Sequence, residues 1–111
     1  MMLSPVTDSH RSFDVVVIGG GPAGTTAATL LAQAGHRVGL FERHSFPRFH
    51  VGESLVPAVN LTLEKLGVRE RMDQIGFPQK HAVQFISPKG PSRPFYFSEV
   101  RDPRMHNTWQ V

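Results

Sequence analysis

The chain of 111 residues contains no cysteine, and it has only one tryptophan and one tyrosine. Without cysteine, disulfide bonds, thiolate nucleophiles and zinc–sulfur sites are excluded. Its longest apolar runs fall far short of the roughly 20 residues that a membrane-spanning helix needs. Residues 1–12 are polar and lack the apolar core of a secretory signal, so they predict a disordered tail. We therefore expect a cytoplasmic protein with no membrane partner.

The sequence also lacks any dense cluster of charge of one sign. The formal net charge is +3, and the basic residues are spread along the chain. Nucleic-acid binding has little support in such a pattern. The histidines show no metal-ligand spacing, and no metal site is predicted. The five that follow the N-terminal segment with its His10 are His36, His44, His50, His81 and His106.

What the chain does contain is a glycine-rich turn between two apolar segments. Residues 13–42 read FDVVVIGGGPAGTTAATLLAQAGHRVGLFE, with Gly19, Gly21 and Gly24 in the positions of a G-x-G-x-x-G motif. The run of β-branched residues before the turn predicts a parallel strand buried on both faces. A helix and a second strand follow, and the segment ends in an acid. This layout predicts a βαβ unit that binds the pyrophosphate of a dinucleotide.

Each residue of the turn has a predicted physical task. Gly19 permits the tight turn, Gly21 has no side chain to block the pyrophosphate, and Gly24 lets the helix pack close to the strand. Pro22 fits the first helical turn, where its missing N–H would have no intrahelical partner. The N–H groups at the helix start, including that of Ala23, are expected to face the phosphates.

Glu42 stands 18 residues after Gly24, near the spacing expected for a carboxylate that binds a ribose diol. A carboxylate in this place would repel a 2′-phosphate, which argues against NADP. The residues alone therefore leave FAD and NAD as the two candidate cofactors.

After this unit, the spacing of apolar residues predicts two short helices. Ser54 is expected to cap a helix that runs to Leu66, with Pro57 in its first turn and Gly67 at its end. Val68, Met72 and Ile75 predict one face of a second helix that Gly76 terminates.

Residues 82–86 and 93–97 have strand composition, and the SPKGPS segment between them predicts a β-hairpin. Residues 108–111 predict one further strand. The predicted fold is α/β: a Rossmann-like βαβ FAD-binding unit followed by two short helices and a β-hairpin. Because a dinucleotide fold has two mononucleotide-binding halves, we expect residues 13–111 to be the N-terminal part of an incomplete FAD-binding domain, with marginal stability alone.

Four segments resemble the flavin-dependent halogenases and related FAD-dependent monooxygenases. They are DVVVIGGGPAG at residues 14–24, FPRFHVGESLVP at 46–57, GFPQK at 76–80 and NTWQV at 107–111. The resemblance covers nearly the whole chain. The first segment is common to the wider flavoprotein superfamily, whereas the second is typical of halogenases and their close relatives.

The resemblance implies FAD as the cofactor and a role for several residues beyond the turn. Glu42 would bind the adenosine ribose and Arg43 would lie near the adenine. The resemblance also implies that four residues lie nearer to the flavin: Arg48, Gly52, Glu53 and Ser54. For Glu53 a carboxylate at a helix start is an alternative interpretation.

In such an enzyme, reduced flavin and oxygen convert chloride to hypochlorous acid, and a lysine directs it onto an electron-rich aromatic substrate. The resemblance implies that this catalytic residue is Lys80 and that a flavin reductase is a partner. A solvated surface lysine is the alternative. Phe95, Tyr96, Phe97 and Trp109 could line an aromatic substrate pocket, although such residues more often form a strand core.

The halogenase signature W-x-W-x-I-P is absent from these 111 residues. We therefore expect the isolated chain to be inactive. Two alternatives to the halogenase interpretation stay open: an FAD-dependent reductase of isoprenoid chains, and a non-catalytic fragment without a cofactor.

Overall fold

The computed structural model describes residues 12–111, which form two compact units. The first ends at Phe46, and the second comprises Pro47–Val111. Of the predicted tail, residues 1–11 lie outside the described residues. Ser12 accepts a hydrogen bond from Arg37 Nη1 at 2.9 Å. The assignment of residues 13–111 to one FAD-binding domain stays a prediction.

The first unit is the predicted βαβ unit. Strand β1 spans Val15–Ile18, helix α1 Pro22–Gln33 and strand β2 Val38–Phe41. The two strands are parallel, with Val15 opposite Val38 and Ile18 opposite Phe41. Branched and aromatic side chains favour the extended backbone of both strands. The Rossmann-like part of the predicted fold is confirmed.

Polar and aromatic contacts hold together the start of this unit. The Arg37 N–H donates to Asp14 Oδ2 at 2.7 Å, and the Arg37 guanidinium forms an ion pair with Asp14 at 3.0 Å. The hydrogen bond from the Arg37 side chain is the main reason why the pKa of Asp14 lies below its usual value. The Phe13 ring packs on Gly39, where an added Cβ would lie 2.9 Å from the ring.

The predicted burial of β1 on both faces is wrong for this structure. Ile18 is 88% exposed and Val16 is 54% exposed. The reason is that, among the described residues, β1 pairs only with β2. One edge of β1 and the face that carries these two side chains have no cover, as expected of half a dinucleotide fold.

The second unit begins with an irregular segment and two helices. Helix α2 spans Val59–Leu66 and helix α3 spans Arg69–Ile75. Gly67 (φ 74°) and Gly76 (φ 77°) end them in the left-handed conformation that glycine adopts at low cost. Both predicted helices and both predicted stops are confirmed.

The predicted helix cap at Ser54 is wrong. Ser54 pairs instead with Gln110 in an antiparallel β-bridge, and α2 begins at Val59 after Ala58. Pro57 explains the late start, because a proline disfavours the helical conformation of the residue before it. Pro57 thus lies before α2, where its carbonyl accepts the Asn60 N–H at 3.1 Å.

The predicted hairpin is present, but it is interrupted in the middle. Its base pairs β4 (Ala82–Val83) with β7 (Phe95–Tyr96), and its tip pairs β5 (Ile86–Ser87) with β6 (Gly90–Pro91). Between the base and the tip, two hydrogen bonds take the place of regular strand pairing. The Ser92 N–H donates to the Phe85 carbonyl, and the Phe85 N–H donates to Ser92 Oγ.

The predicted last strand is present as well. Strand β8 (Thr108–Trp109) pairs with β3 (Gln79–Lys80), and short 3-10 turns at Phe97–Glu99 and Pro103–Met105 lead from the hairpin to it. The α/β fold class is therefore confirmed.

The buried core lies in the second unit. Trp109 and Phe97 are its buried apolar residues, and Asn60 and Thr108 are fully buried beside them. Asn60 Nδ2 donates to the carbonyls of Arg104 and Asn107, at 2.7 Å each. Among residues 12–111, no helix is long and apolar enough to cross a membrane.

Candidate cofactor turn and lysine site

The glycine turn has the conformation that its spacing predicts. Gly19 adopts φ 104°, a region that favours glycine. At Gly24 an added Cβ would lie 1.9 Å from the Gly19 carbonyl oxygen and 3.4 Å from Val17 Cγ1. No side chain fits in that space, so the helix can approach the strand this closely only with glycine at position 24.

The start of α1 presents main-chain donors without helical partners. The Thr25 N–H donates to the Gly21 carbonyl at 2.9 Å, and this is the first bond of the helix. The N–H groups of Ala23 and Gly24 precede it and have no acceptor within the helix, and Pro22 has no N–H. No acidic residue lies in the first turn. The partial positive charge at this helix start is therefore available to an anion.

Glu42 lies against the same turn. Its Oε2 accepts the Gly20 N–H at 2.8 Å, and its Oε1 accepts the His44 N–H at 3.0 Å. The spacing predicted a ribose-binding acid but missed this bond to the turn. The signal was available, because parallel strands end at the same edge and bring an acid after β2 next to a turn after β1. A carboxylate has about four acceptor positions, so it can hold the turn and a ribose hydroxyl together.

The other residues assigned to the cofactor are divided between the two units. Arg43 is an exposed residue of the first unit. In the second unit, Arg48 Nη1 donates to the Phe49 carbonyl at 3.4 Å, and Gly52 adopts φ 91°. Glu53 Oε2 accepts a bond from Gln110 Nε2 at 3.4 Å. The alternative interpretation of Glu53 as a helix-start carboxylate is wrong, because α2 begins well after it.

Two of the predicted site residues contact each other in the second unit. Lys80 Nζ donates to Ser54 Oγ, and it also donates to the Leu55 carbonyl at 3.1 Å. Lys80 is partly buried. An amine held by two acceptors differs from the solvated surface lysine that was the alternative. Sequence spacing could not reveal this contact, since the two side chains are 26 residues apart.

The aromatic residues fall into two groups. Trp109 and Phe97 belong to the buried core, with the Arg69 guanidinium 4.8 Å from the centre of the Trp109 ring. Phe95 and Tyr96 are exposed. The core interpretation therefore fits Trp109 and Phe97 better than a substrate pocket. Within residues 12–111, no group of three or more histidine or acidic side chains is placed to hold a metal ion.

Comparison with known proteins gives one family. The model of the tryptophan halogenase family matches residues 14–110. A 1H-pyrrole-2-carbonyl-[peptidyl-carrier protein] chlorinase of Pseudomonas fluorescens is 48% identical over 79 residues, which are 71% of this chain and 18% of that protein. The corresponding brominase of Pseudoalteromonas luteoviolacea is 40% identical over 101 residues, 91% of this chain and 23% of that protein.

Solved structures agree with this result. The myxobacterial chondrochloren halogenase, described as a variant of FAD-dependent halogenases, is 40% identical with a TM-score of 0.78, over 89% of this chain and 23% of that one. A flavoprotein/dehydrogenase of Cytophaga hutchinsonii is also 40% identical, with a TM-score of 0.80, over 91% of this chain and 25% of that one. The 111 residues thus span a quarter or less of each of these relatives.

Proposed function

The chain belongs to the tryptophan halogenase family, and on that premise we propose that it is the FAD-binding N-terminal portion of a flavin-dependent halogenase or halogenase-like monooxygenase. Its substrate would be an electron-rich aromatic small molecule. The names of the relatives, which include a pyrrole chlorinase and a tryptophan 2-halogenase, support this class of substrate. A separate flavin reductase as partner and a cytoplasmic location complete the proposal.

The glycine turn is the observation that carries this proposal. The pyrophosphate of FAD would accept hydrogen bonds from the N–H groups of Ala23 and Gly24, close to Gly19, Gly21 and Pro22. Glu42 would hold the adenosine ribose. We also assign Arg43, Arg48, Gly52, Glu53 and Ser54 to the cofactor. When bound and reduced, FAD supplies the activation of oxygen that oxidises a halide.

Lys80 is the residue to which we assign catalysis. The residue is partly buried, and its amine is held by Ser54 Oγ and the Leu55 carbonyl. A held amine can present an oxidised halogen, or donate a hydrogen bond to it, at one defined position. Orientation of this kind accounts for much of what a positioned catalytic group contributes.

Cofactor binding can be tested with the 111-residue chain by equilibrium dialysis against FAD and against NADP. We expect FAD to bind and NADP to bind at least about tenfold more weakly, because the Glu42 carboxylate repels a 2′-phosphate. Gly21→Val should abolish FAD binding. Ala27→Val, which places the same side chain at an exposed site in the second turn of α1, is the matched control. Equal binding by the Gly21 variant would contradict the assignment.

A test of catalysis requires the protein in the form that its own organism produces. Reduced FAD, oxygen, chloride or bromide and an aromatic substrate should give a halogenated product. Lys80→Ala should remove halogenation and leave FAD bound, whereas Lys89→Ala, at the exposed tip of the hairpin, should leave it unchanged. Halogenation that survives in the Lys80 variant would refute the role of this residue.

A second candidate is an FAD-dependent reductase of isoprenoid chains. The similarity to a flavoprotein/dehydrogenase at the same 40% identity is the observation in its favour. Such an enzyme would reduce its substrate without a halide and would not need the Lys80 amine. Turnover without halide, unaffected by Lys80→Ala, would select it. Absence of FAD binding in the dialysis experiment would instead favour a non-catalytic fragment.

A further inference from the structure

The contact between Lys80 and Ser54 has a consequence for how the lysine works. We infer that Ser54 is a positioning residue for Lys80, which fixes the amine through its hydroxyl while the Leu55 carbonyl fixes it through the main chain. The inference deepens the proposed function, on which it rests for the meaning of Lys80. It gives Ser54 a second role beside the assignment to the cofactor.

The strand register of the second unit supports this inference. Residues 108–110 form a central segment, with Lys80 opposite Thr108 on one side and Ser54 opposite Gln110 on the other. Side chains of directly opposed residues share a face of a sheet. Thr108 and Gln110 are two residues apart and also share a face. Lys80 and Ser54 are therefore on the same face by register, so their contact needs no unusual backbone.

The main chain fixes the position of Ser54 from both sides. The Leu55 N–H donates to the Trp109 carbonyl at 3.0 Å, and the Val111 N–H donates to the Glu53 carbonyl at 2.8 Å. Trp109 is fully buried. The residue whose hydroxyl receives the lysine is thus hydrogen-bonded through its neighbours to the segment that contains the buried Trp109, and a group fixed to such an element is held more precisely than one on a free loop.

The chemistry of the two partners limits what the amine can do. A carbonyl can only accept a hydrogen bond, so one N–H of Lys80 must be donated to Leu55. The hydroxyl of Ser54 accepts a second. The lysine crosses the central segment on its flexible four-carbon stem, and without the hydroxyl only the Leu55 carbonyl would hold its end. Two acceptors leave the nitrogen one remaining position from which to act on a halogen.

The reactivity of individual lysines in the 111-residue chain tests this inference. The probe is trinitrobenzenesulfonate, with modification of Lys65, Lys80 and Lys89 measured separately by peptide mass spectrometry. Loss of one hydrogen bond in Ser54→Ala should raise the labelling rate of Lys80 roughly 3- to 10-fold. Lys65 and Lys89 are exposed, and their rates should not change. Ser54→Thr, which keeps the hydroxyl, should restore the slow rate.

A spectroscopic measurement separates positioning from a merely structural role. In a ¹H–¹⁵N correlation spectrum of the lysine amines, only an amine held by hydrogen bonds exchanges slowly enough to be seen. We expect the Lys80 signal in the parent chain and in Ser54→Thr, and its loss in Ser54→Ala. Thr108→Val is the matched control, because it removes a hydroxyl on the same face that has no hydrogen-bond partner within the described residues.

Fluorescence of Trp109, the only tryptophan, reports whether the second unit of each variant is folded. Unchanged Lys80 labelling and an unchanged amine signal in folded Ser54→Ala would overturn the inference. If Ser54→Ala does not fold, Ser54→Thr decides the question, because fast labelling of Lys80 in that variant would also overturn the inference. None of these measurements needs FAD or a halide, so failure of the proposed function would be seen separately.

Discussion

The two units of the chain present chemistry in opposite ways. In the first, ending at Phe46, the candidate site consists of main-chain N–H groups, and no large side chain among its described residues is buried. In the second, the candidate site is a lysine side chain on β3, which pairs with the strand that contains a fully buried tryptophan. A main-chain site needs only glycines at a fixed spacing, whereas a side-chain site needs distant segments paired around a core.

Among the substitutions that test this comparison, one at Gly24 should have the largest effect, which is on FAD binding. Gly24→Ala places a Cβ 1.9 Å from the Gly19 carbonyl oxygen, a main-chain atom that cannot move aside cheaply. Overpacking costs about 1–3 kcal/mol, occasionally more, which is enough to remove FAD binding in equilibrium dialysis. Trp109 fluorescence in the second unit should stay unchanged. Ala27→Val enlarges an exposed side chain of the same helix and is the control; loss of FAD binding in that variant would contradict the local explanation.

The next effect should come from Asn60, in the opposite unit. Asn60→Ala removes both N–H donors of the amide, so the Asn107 carbonyl loses this partner and the Arg104 carbonyl keeps only the longer bond from Arg69 Nη1, at 3.3 Å. We expect a loss of about 1–3 kcal/mol in the free energy of unfolding, measured by urea titration of Trp109 fluorescence. Asn107→Ala, which removes one bond to Arg69, should cost less. An equal loss in both variants would show that the buried amide is not the anchor.

Acidification should lower the stability of the second unit by less than the Asn60 substitution does. The Arg93 side chain, and then the Tyr96 N–H, hold the pKa of Glu99 at about 2, and Arg104 holds the pKa of Asp102 at about 2. Each carboxylate therefore stabilises the folded state above its ordinary pKa, and this contribution is lost as the pH falls toward 2. The pairs are exposed, so salt should reduce the effect.

The measurement is the urea midpoint of Trp109 fluorescence between pH 5 and pH 2, which is roughly the window in which the two carboxylates become protonated. Glu99→Gln removes one of the two titrating groups and should make the midpoint less sensitive to acid. A midpoint that stays constant over this range would rule out a contribution from either pair.

Ile18 should show the smallest effect. It is 88% exposed on the uncovered face of β1, and Ile18→Thr keeps the β-branched shape that suits a strand. Exposed substitutions of this kind usually change stability by less than about 0.5 kcal/mol. Hydrogen exchange of the β1 and β2 amides should be unchanged in the variant. A large loss of protection would show that this side chain is covered in solution.

The sequence predicted the first unit better than the second, for a physical reason. The roles of Gly19 and Gly24 follow from local geometry, and the glycines that end α2 and α3 act within one turn of chain. The cap assigned to Ser54 was wrong because local spacing cannot show that residues 53–55 pair with residues 109–111. The same long-range pairing hid the contact between Ser54 and Lys80, although the resemblance had already selected both residues.

The bond between Gly20 and Glu42 limits how the cofactor preference of this protein can be changed. Redirecting such a site toward NADP calls for a cation in place of the acid. Here that exchange would also remove the acceptor of the Gly20 N–H at 2.8 Å and leave a buried main-chain donor without its partner. Nucleotide selectivity and the rigidity of the loop are therefore coupled through one side chain, and a redesigned enzyme would need a second substitution to supply the missing oxygen.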